Sequence, residues 1–187
     1  MKRIVDIILC GVALIIFCIP MIIIYCWIKL DSPGPVLFKQ KRVGKNGELF
    51  EIYKYRSMRI DTPNVSTEKL GDPTQFITKS GKFLRKTSLD ELPQLFNIIK
   101  GDMSIVGPRP ALYNQYDLIE MRDEVAVNSI RPGLTGYAQI MGRDLISDKE
   151  KVNYDEYYIK NQNLLLDFKI IWATFFRVLR SEGVKMK

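Results

Sequence analysis

Asp90 and Glu91 are adjacent carboxylates in the stretch Thr87-Ser88-Leu89-Asp90-Glu91-Leu92-Pro93-Gln94-Leu95, with Arg85 and Lys86 just upstream. A carboxylate pair among cations suits the handling of phosphate and a divalent metal: the metal takes oxygen ligands and the cations offset the charge of the transferring group. The same residues also suit an ordinary helix start. Ser88 and Glu91 have the spacing of a capping box, and Asp90 can itself be an N-cap with Pro93 where no amide is needed. The rest of the chain must decide between chemistry and capping.

Further cations stand where a phosphate site would want them. In Tyr53-Lys54-Tyr55-Arg56-Ser57-Met58 the alternation of a strand puts Lys54 and Arg56 on one face, where with Ser57 they could grip a phosphate, although a solvated basic face explains the pair as well. Arg109 is clamped between Pro108 and Pro110, which lowers the entropy lost in presenting its guanidinium. Arg131 before Pro132-Gly133 and Arg143 after Gly142 repeat the pattern. Three arginines in rigid turns, the Asp90-Glu91 pair and no histidine together point to polyphosphate chemistry.

The absence of histidine excludes imidazole triads, histidine-rich zinc sites and histidine bases. Cys10, Cys18 and Cys26 all lie in the apolar N-terminal run and read as small core or lipid-facing residues, not as a disulfide framework or metal site. The 187 residues suffice for one compact domain with a small appendage, and the net charge of +7 favours an anionic partner. Nucleic acid ranks last, because the basic residues are dispersed and no nucleic-acid reading motif accompanies them.

Several elements must position these groups. No charge interrupts Ile7 to Ile28, so this run is a membrane segment. Pro20 near its middle removes a helix hydrogen bond and collides with the carbonyl of Ile16, which predicts a bend. Lys2 and Arg3 flank one end and Lys29, Lys39, Lys41, Arg42 and Lys45 follow the other. A helix that dips in and returns satisfies the positive-inside rule at both flanks, and its first arm, about 20 Å long, falls short of the roughly 30 Å of hydrocarbon. A kinked spanning anchor is the alternative.

Strands are expected at Val36 to Lys41 and Leu49 to Tyr55, joined by Gly44-Lys45-Asn46-Gly47. Asp61 to Gln75 reads as a surface loop. Helices are expected over Lys79 to Lys86, from Leu92 to Ile99 with Gly101 as the stop, over Tyr113 to Val127 and over Asp148 to Asn161. The last, Leu164 to Arg180, carries Leu165, Phe168, Ile171, Trp172, Phe175 and Leu179 at helical spacing and suits an in-plane interfacial helix or a core helix.

Taken in order, Lys54-Tyr55-Arg56-Ser57-Met58, Ser88 to Leu95, Lys100-Gly101-Asp102-Met103-Ser104, Val106-Gly107-Pro108-Arg109-Pro110 and Arg131-Pro132-Gly133-Leu134-Thr135-Gly136 closely resemble the bacterial sugar transferase family, the monotopic phosphoglycosyl transferases. The resemblance covers essentially the whole chain and matches the small stand-alone form. It implies an α+β, mostly helical fold: a re-entrant membrane helix over residues 1–30 bent at Pro20, a small β-hairpin, and a compact helical catalytic domain with interfacial helices over residues 31–187. It implies transfer of a sugar 1-phosphate from a UDP-sugar to polyprenol (undecaprenyl) phosphate with release of UMP, at the cytoplasmic face of the bacterial inner membrane, starting surface glycan assembly. Asp90 would be the nucleophile forming a phosphosugar-aspartate, Glu91 would hold Mg²⁺ or assist proton transfer with Asp90 also a metal ligand, and Lys54, Arg56, Arg85, Arg109, Arg131 and Arg143 would bind substrate. Two departures stand out: Ile19 precedes Pro20 where family members commonly have Ser, and Asp144 follows Arg143 where some have Asn. The competing class is a non-catalytic membrane scaffold that binds anionic lipid.

Overall fold

The computed structural model describes residues 1–63, 72–142 and 145–180. It is an α+β structure, mostly helical. In chain order the elements are α1 Lys2–Asp31, β1 Leu37–Val43, β2 Leu49–Tyr55, α2 Lys79–Thr87, α3 Gln94–Lys100, β3 Ser104–Val106, α4 Tyr116–Glu124, β4 Gly133–Thr135, α5 Tyr137–Met141, α6 Asp148–Lys160 and α7 Leu164–Leu179.

α1 carries Pro20 inside it and is long and apolar enough to cross a membrane. It nevertheless docks along the rest of the chain through residues recurring every three or four positions. Cys10 is buried with Ile52, Leu95, Ile98 and Met103, and Ala13 and Leu14 pack on that group. Ile24 and Ile28 are buried with Val36, Tyr55 and Leu84, with Met21 alongside. The opposite face, including Ile8, Ile15, Ile19, Ile23 and Leu30, points outward.

Polar contacts fasten both ends. At the start, Lys2 pairs with Asp167 at 2.6 Å, Arg3 donates to the carbonyls of Ile98 at 2.6 Å and Ile99 at 2.9 Å, and Asp6 accepts from Ser104 Oγ at 2.8 Å. Arg3 thereby satisfies carbonyls that the end of α3 leaves without helical partners. At the far end, Asp31 accepts from the Ser80 hydroxyl at 2.8 Å, and Tyr55 Oη donates to the carbonyl of Met21, one residue past Pro20, at 3.0 Å.

β1 and β2 pair antiparallel from Leu37 opposite Tyr55 to Val43 opposite Leu49. β1 starts and ends slightly later than its hydrophobic pattern suggests, running up to the turn at Gly44. Asn46 (φ 56°) and Gly47 (φ 78°) make that turn in the left-handed region, which these residue types tolerate. Of the expected loop Asp61 to Gln75, residues 64–71 lie outside the described residues, and Pro73–Gln75 forms a short 3₁₀ turn.

α2 is capped by Thr78, whose hydroxyl accepts from Gly81 N at 3.0 Å, and α3 stops at Gly101 with φ 106°, as its position forecasts. β3 and β4 form a parallel pair that the sequence does not announce, since three residues are too few to show a period. Gly133 makes the pairing possible: a Cβ there would stand 2.1 Å from the Gly107 nitrogen. α6 opens with a full capping box between Ser147 and Glu150. α7 buries Asp167 and Ile170 and leaves Leu165, Trp172, Phe175 and Leu179 exposed, so one apolar face packs on the core and a second faces outward.

Candidate active site

The stretch around Asp90 is not a capped helix start. Ser88, at φ 56° in the left-handed region, ends α2, and its amide donates back to the Arg85 carbonyl at 3.3 Å. Leu89–Glu91 then make one 3₁₀ turn, and α3 begins three residues later with Pro93 at its cap position and no side-chain cap. Neither Ser88 nor Asp90 caps α3 through its side chain, so the capping alternative is set aside. The chain instead turns sharply to hold two carboxylates between two helices.

Glu91 is buried, and one of its oxygens, Oε1, accepts from both Lys54 Nζ at 2.7 Å and Arg109 Nη2 at 2.9 Å. Lys54 comes from β2, which Asn97 of α3 locks in place. Asn97 Oδ1 accepts from Tyr53 N at 2.9 Å and its Nδ2 donates to the Glu51 carbonyl at 2.7 Å. The strand that carries the cation is thus bonded to the helix that follows the carboxylates.

Arg109 is presented by a loop held at three successive carbonyls. Gly133 N donates to Pro108 O at 2.8 Å, Arg122 Nη1 to Arg109 O at 2.8 Å, and Arg42 Nη1 to Pro110 O at 3.1 Å. The two prolines remove backbone freedom and these donors remove what remains, so the guanidinium starts from a defined anchor.

The electrostatics of the two acids diverge. Burial alone would raise the pKa of Glu91, but Arg109 and Lys54, by charge and by hydrogen bond, outweigh it and hold the carboxyl well below the usual range. Asp90 is pushed up to about 6, chiefly by burial; the Lys54 charge opposes this, Glu91 adds to it, and Arg85 and Arg109 oppose it more weakly. Burial lowers the pKa of Lys54, with Glu91 acting against it. Neighbouring carboxyls separated in this way take different roles: one stays ionised as a fixed charge and the other titrates near neutrality.

Of the residues singled out by sequence, Asp90, Glu91, Lys54 and Arg109 meet here, and Arg85, in the last turn of α2, bears on Asp90 through its charge. Arg56 does not join them. Its buried guanidinium donates to the Ser32 carbonyl at 2.7 Å and to the Pro33 carbonyl, closing the turn after α1. In Arg56 the terminal nitrogens expected to meet substrate are thus taken up by the carbonyls of a nearby turn. Arg131 is exposed and donates from Nε to the Gly101 carbonyl at 2.8 Å, which fixes the stem of its side chain at that turn. Arg143 lies outside the described residues.

Arg42, Asn97, Arg122 and Asp155 were not anticipated. The strand alternation that places Gln40 and Arg42 on one face and Lys39 and Lys41 on the other was a usable signal for Arg42. Nothing local marks Arg122 or Asp155, which meet at 2.6 Å across a separation of 33 residues.

Among the described residues no three or more His, Cys, Asp or Glu side chains cluster as a metal site. Mg²⁺ does not need one, because it is ordinarily held by one or two carboxylates together with substrate phosphates. The donor set fits: both hydrogen bonds to Glu91 fall on Oε1, which leaves Oε2, and Asp90 adds a second carboxylate.

Fold and site define an α+β domain fastened to a long apolar helix, with a carboxylate pair under cationic control. The profile of the bacterial sugar transferase family matches residues 1–181, and the chain belongs to that family. It is 39% identical to a UDP-N-acetylgalactosamine-undecaprenyl-phosphate N-acetylgalactosaminephosphotransferase of Aeromonas hydrophila, over 98% of this chain and 45% of that protein. It is 41% identical to a UDP-glucose:undecaprenyl-phosphate glucose-1-phosphate transferase of Escherichia coli, over 95% of this chain and 40% of the relative. An uncharacterized sugar transferase of Bacillus subtilis, EpsL, is 39% identical over 99% of this chain and 90% of its own length. The chain thus spans less than half of the first two relatives and nearly all of the third.

Proposed function

We propose that the protein transfers a sugar 1-phosphate from a UDP-sugar to polyprenol phosphate, releasing UMP, as the first step in building a surface glycan. The observation that carries this reading is the split pair: Glu91 clamped by Lys54 and Arg109, beside Asp90 with its pKa raised to about 6. A carboxylate that titrates near neutrality is a better nucleophile than a fully stabilised one, and the clamped neighbour keeps two cations in place for a diphosphate. Two of the relatives described above are named as transferases that use undecaprenyl phosphate.

In the first half-reaction a carboxylate oxygen of Asp90 attacks the sugar-bearing β-phosphorus. The P–O bond to the bridging oxygen breaks, and UMP leaves with that oxygen. In the second, a phosphate oxygen of the polyprenol phosphate attacks the same phosphorus, the aspartyl O–P bond breaks, and Asp90 is regenerated. Lys54, Arg109 and Arg85 hold and neutralise the transferring group, work that dominates phosphoryl transfer. Mg²⁺ would be held by Asp90 and Glu91 together with the donor phosphates, and when bound it supplies further neutralisation of the diphosphate.

The tethering of α1 supports one-leaflet insertion, and the basic residues at both of its flanks support the cytoplasmic face of the bacterial inner membrane. Lys2 bonds Asp167 at one end and Asp31 bonds Ser80 at the other, both on the same domain. A spanning helix would put roughly 30 Å of hydrocarbon between its ends, so only one of them could keep its partner. The Tyr55 hydroxyl donates to the Met21 carbonyl and ties β2 to α1 one residue past Pro20; the carbonyl that Pro20 leaves without its helical donor is that of Ile16.

The test is UMP release by full-length protein with Mg²⁺, a panel of UDP-sugars and polyprenol phosphate. One donor is expected to react, Asp90→Asn to be inert, and mass spectrometry after donor alone to show a phosphosugar adduct on Asp90. Undiminished release by Asp90→Asn would overturn the assignment.

A further inference from the structure

α2 has two faces of opposite character. Ser80, Gly81 and Leu84 are buried, whereas Lys79, Lys82, Phe83 and Lys86 are exposed. Spacings of three, four and seven residues place those four on one side of the helix. Asp31 meets the helix at Ser80, at its other face. Among the described residues neither Lys82 nor Lys86 takes part in an ion pair. Two like charges four residues apart disfavour the helix, so the arrangement calls for an anionic counterpart.

The aromatic neighbour of these lysines shows where that counterpart lies. Phe83 meets Trp27 of α1 with ring centroids 5.5 Å apart, yet the two residues stay 47% and 39% exposed. Trp27 continues the outward face of α1, where Ile23 one turn earlier is also exposed, and Lys29 follows it in the last turn. Passing from α1 to α2, the surface runs from aliphatic to aromatic to lysine. A bilayer presents the same order from its hydrocarbon through its interface to its phosphates.

We propose that the outer face of α2, with Lys82 and Lys86 on either side of Phe83, docks on the anionic phospholipid headgroups of the leaflet that α1 enters. The inference rests on the membrane reading of α1 and not on the transfer chemistry. α2 passes through Ser88 directly into the turn bearing Asp90, so the contact sets the height of the reacting carboxylate above the lipid.

The experiment reads lipid selectivity without turnover. In a Trp172→Phe protein Trp27 is the sole tryptophan. Full-length protein is reconstituted in vesicles, and quenching of Trp27 by brominated phosphatidylglycerol is compared with quenching by brominated phosphatidylcholine. Phosphatidylglycerol is expected to associate about 25-fold more strongly, about fivefold for each of the two lysines. Each of Lys82→Gln and Lys86→Gln should lower that preference about fivefold, as ~1 kcal/mol per basic residue near an anionic surface dictates, until none is left, with melting temperature unchanged. Equal quenching by the two lipids in the parent, or a preference untouched in the double variant, would overturn the proposal. Reversal of the phosphatidylglycerol effect by a few mole per cent of polyprenyl phosphate would overturn it in favour of an acceptor site. Loss of UMP release with this selectivity intact would sink the transfer reading alone.

Discussion

Arg122 donates to the main-chain carbonyl of Arg109 at 2.8 Å while its other terminal nitrogen holds Asp155 at 2.6 Å. The Arg122–Asp155 pair is almost wholly buried, and it sits one bond behind the guanidinium that grips Glu91. Arg122 therefore acts on the site as a positioning residue, through the backbone of the Pro108-Arg109-Pro110 loop.

Removing only Arg122 leaves Asp155 buried without its cation. Arg122→Met is expected to destabilise the protein by about 3–5 kcal/mol, and the double variant Arg122→Met/Asp155→Leu to regain most of that. UMP release should stay depressed in the double variant, because the Arg109 carbonyl is still unheld. Chemical denaturation alongside rate measurement checks this, and recovery of both quantities together would show that the pair merely fills space.

The raised pKa of Asp90 predicts a pH dependence of adduct formation. The nucleophile must be ionised, so the rate of phosphosugar-aspartate formation in single turnover should fall about tenfold per unit below pH 6. Stability carries the opposite sign. A carboxyl with a folded pKa near 6 and an ordinary value of 3.8 binds protons on folding, so its unfavourable contribution grows as pH rises from about 4 to 6 and persists above. Asp90→Asn removes it, and in metal-free buffer at pH 8 that variant should be inert yet more stable by on the order of 1–3 kcal/mol. A melting curve lower than that of the parent would contradict the burial argument.

Gly81 lets α2 lie against the strand end that follows Lys54. A Cβ at this position would stand 1.9 Å from the Ser57 carbonyl oxygen, a backbone atom that cannot rotate away. Gly81→Ala should therefore destabilise the protein by roughly 2 kcal/mol or more despite the higher helix propensity of alanine. Thermal denaturation decides the matter, and a neutral or stabilising effect would mean that α2 is not seated as described.

The fastening of both ends of α1 to one domain predicts their sidedness. In a chain lacking its native cysteines, Met1→Cys and Lys29→Cys should be labelled by a membrane-impermeant thiol reagent from the same side of the membrane. Labelling from opposite sides would establish a spanning helix. Tyr55→Phe removes the hydroxyl on the Met21 carbonyl, and a loss of about 1 kcal/mol of stability is expected.

Some of this protein was determined by sequence alone, because the signals are local. A long charge-free run, strands on either side of an Asn-Gly turn and a stop glycine at Gly101 are each contained in one continuous stretch of chain, and the structure has a helix, a hairpin and a helix end there, with β1 shifted by one or two residues. The adjacency of Asp90 and Glu91 is likewise written in the chain. Which cations serve them is not. Lys54 and Arg109 reach Glu91 from 37 and 18 residues away, whereas Arg56, equally suggestive as a residue type, closes the turn at Ser32. β3 and β4 are too short to show a period, and Arg42, Asn97 and Arg122 matter through carbonyls and amides that no local pattern marks. Tertiary structure decided these points because a guanidinium or ammonium bonds to whichever acceptor folding brings within about 3 Å, and for long side chains sequence spacing does not tell a carbonyl from a carboxylate.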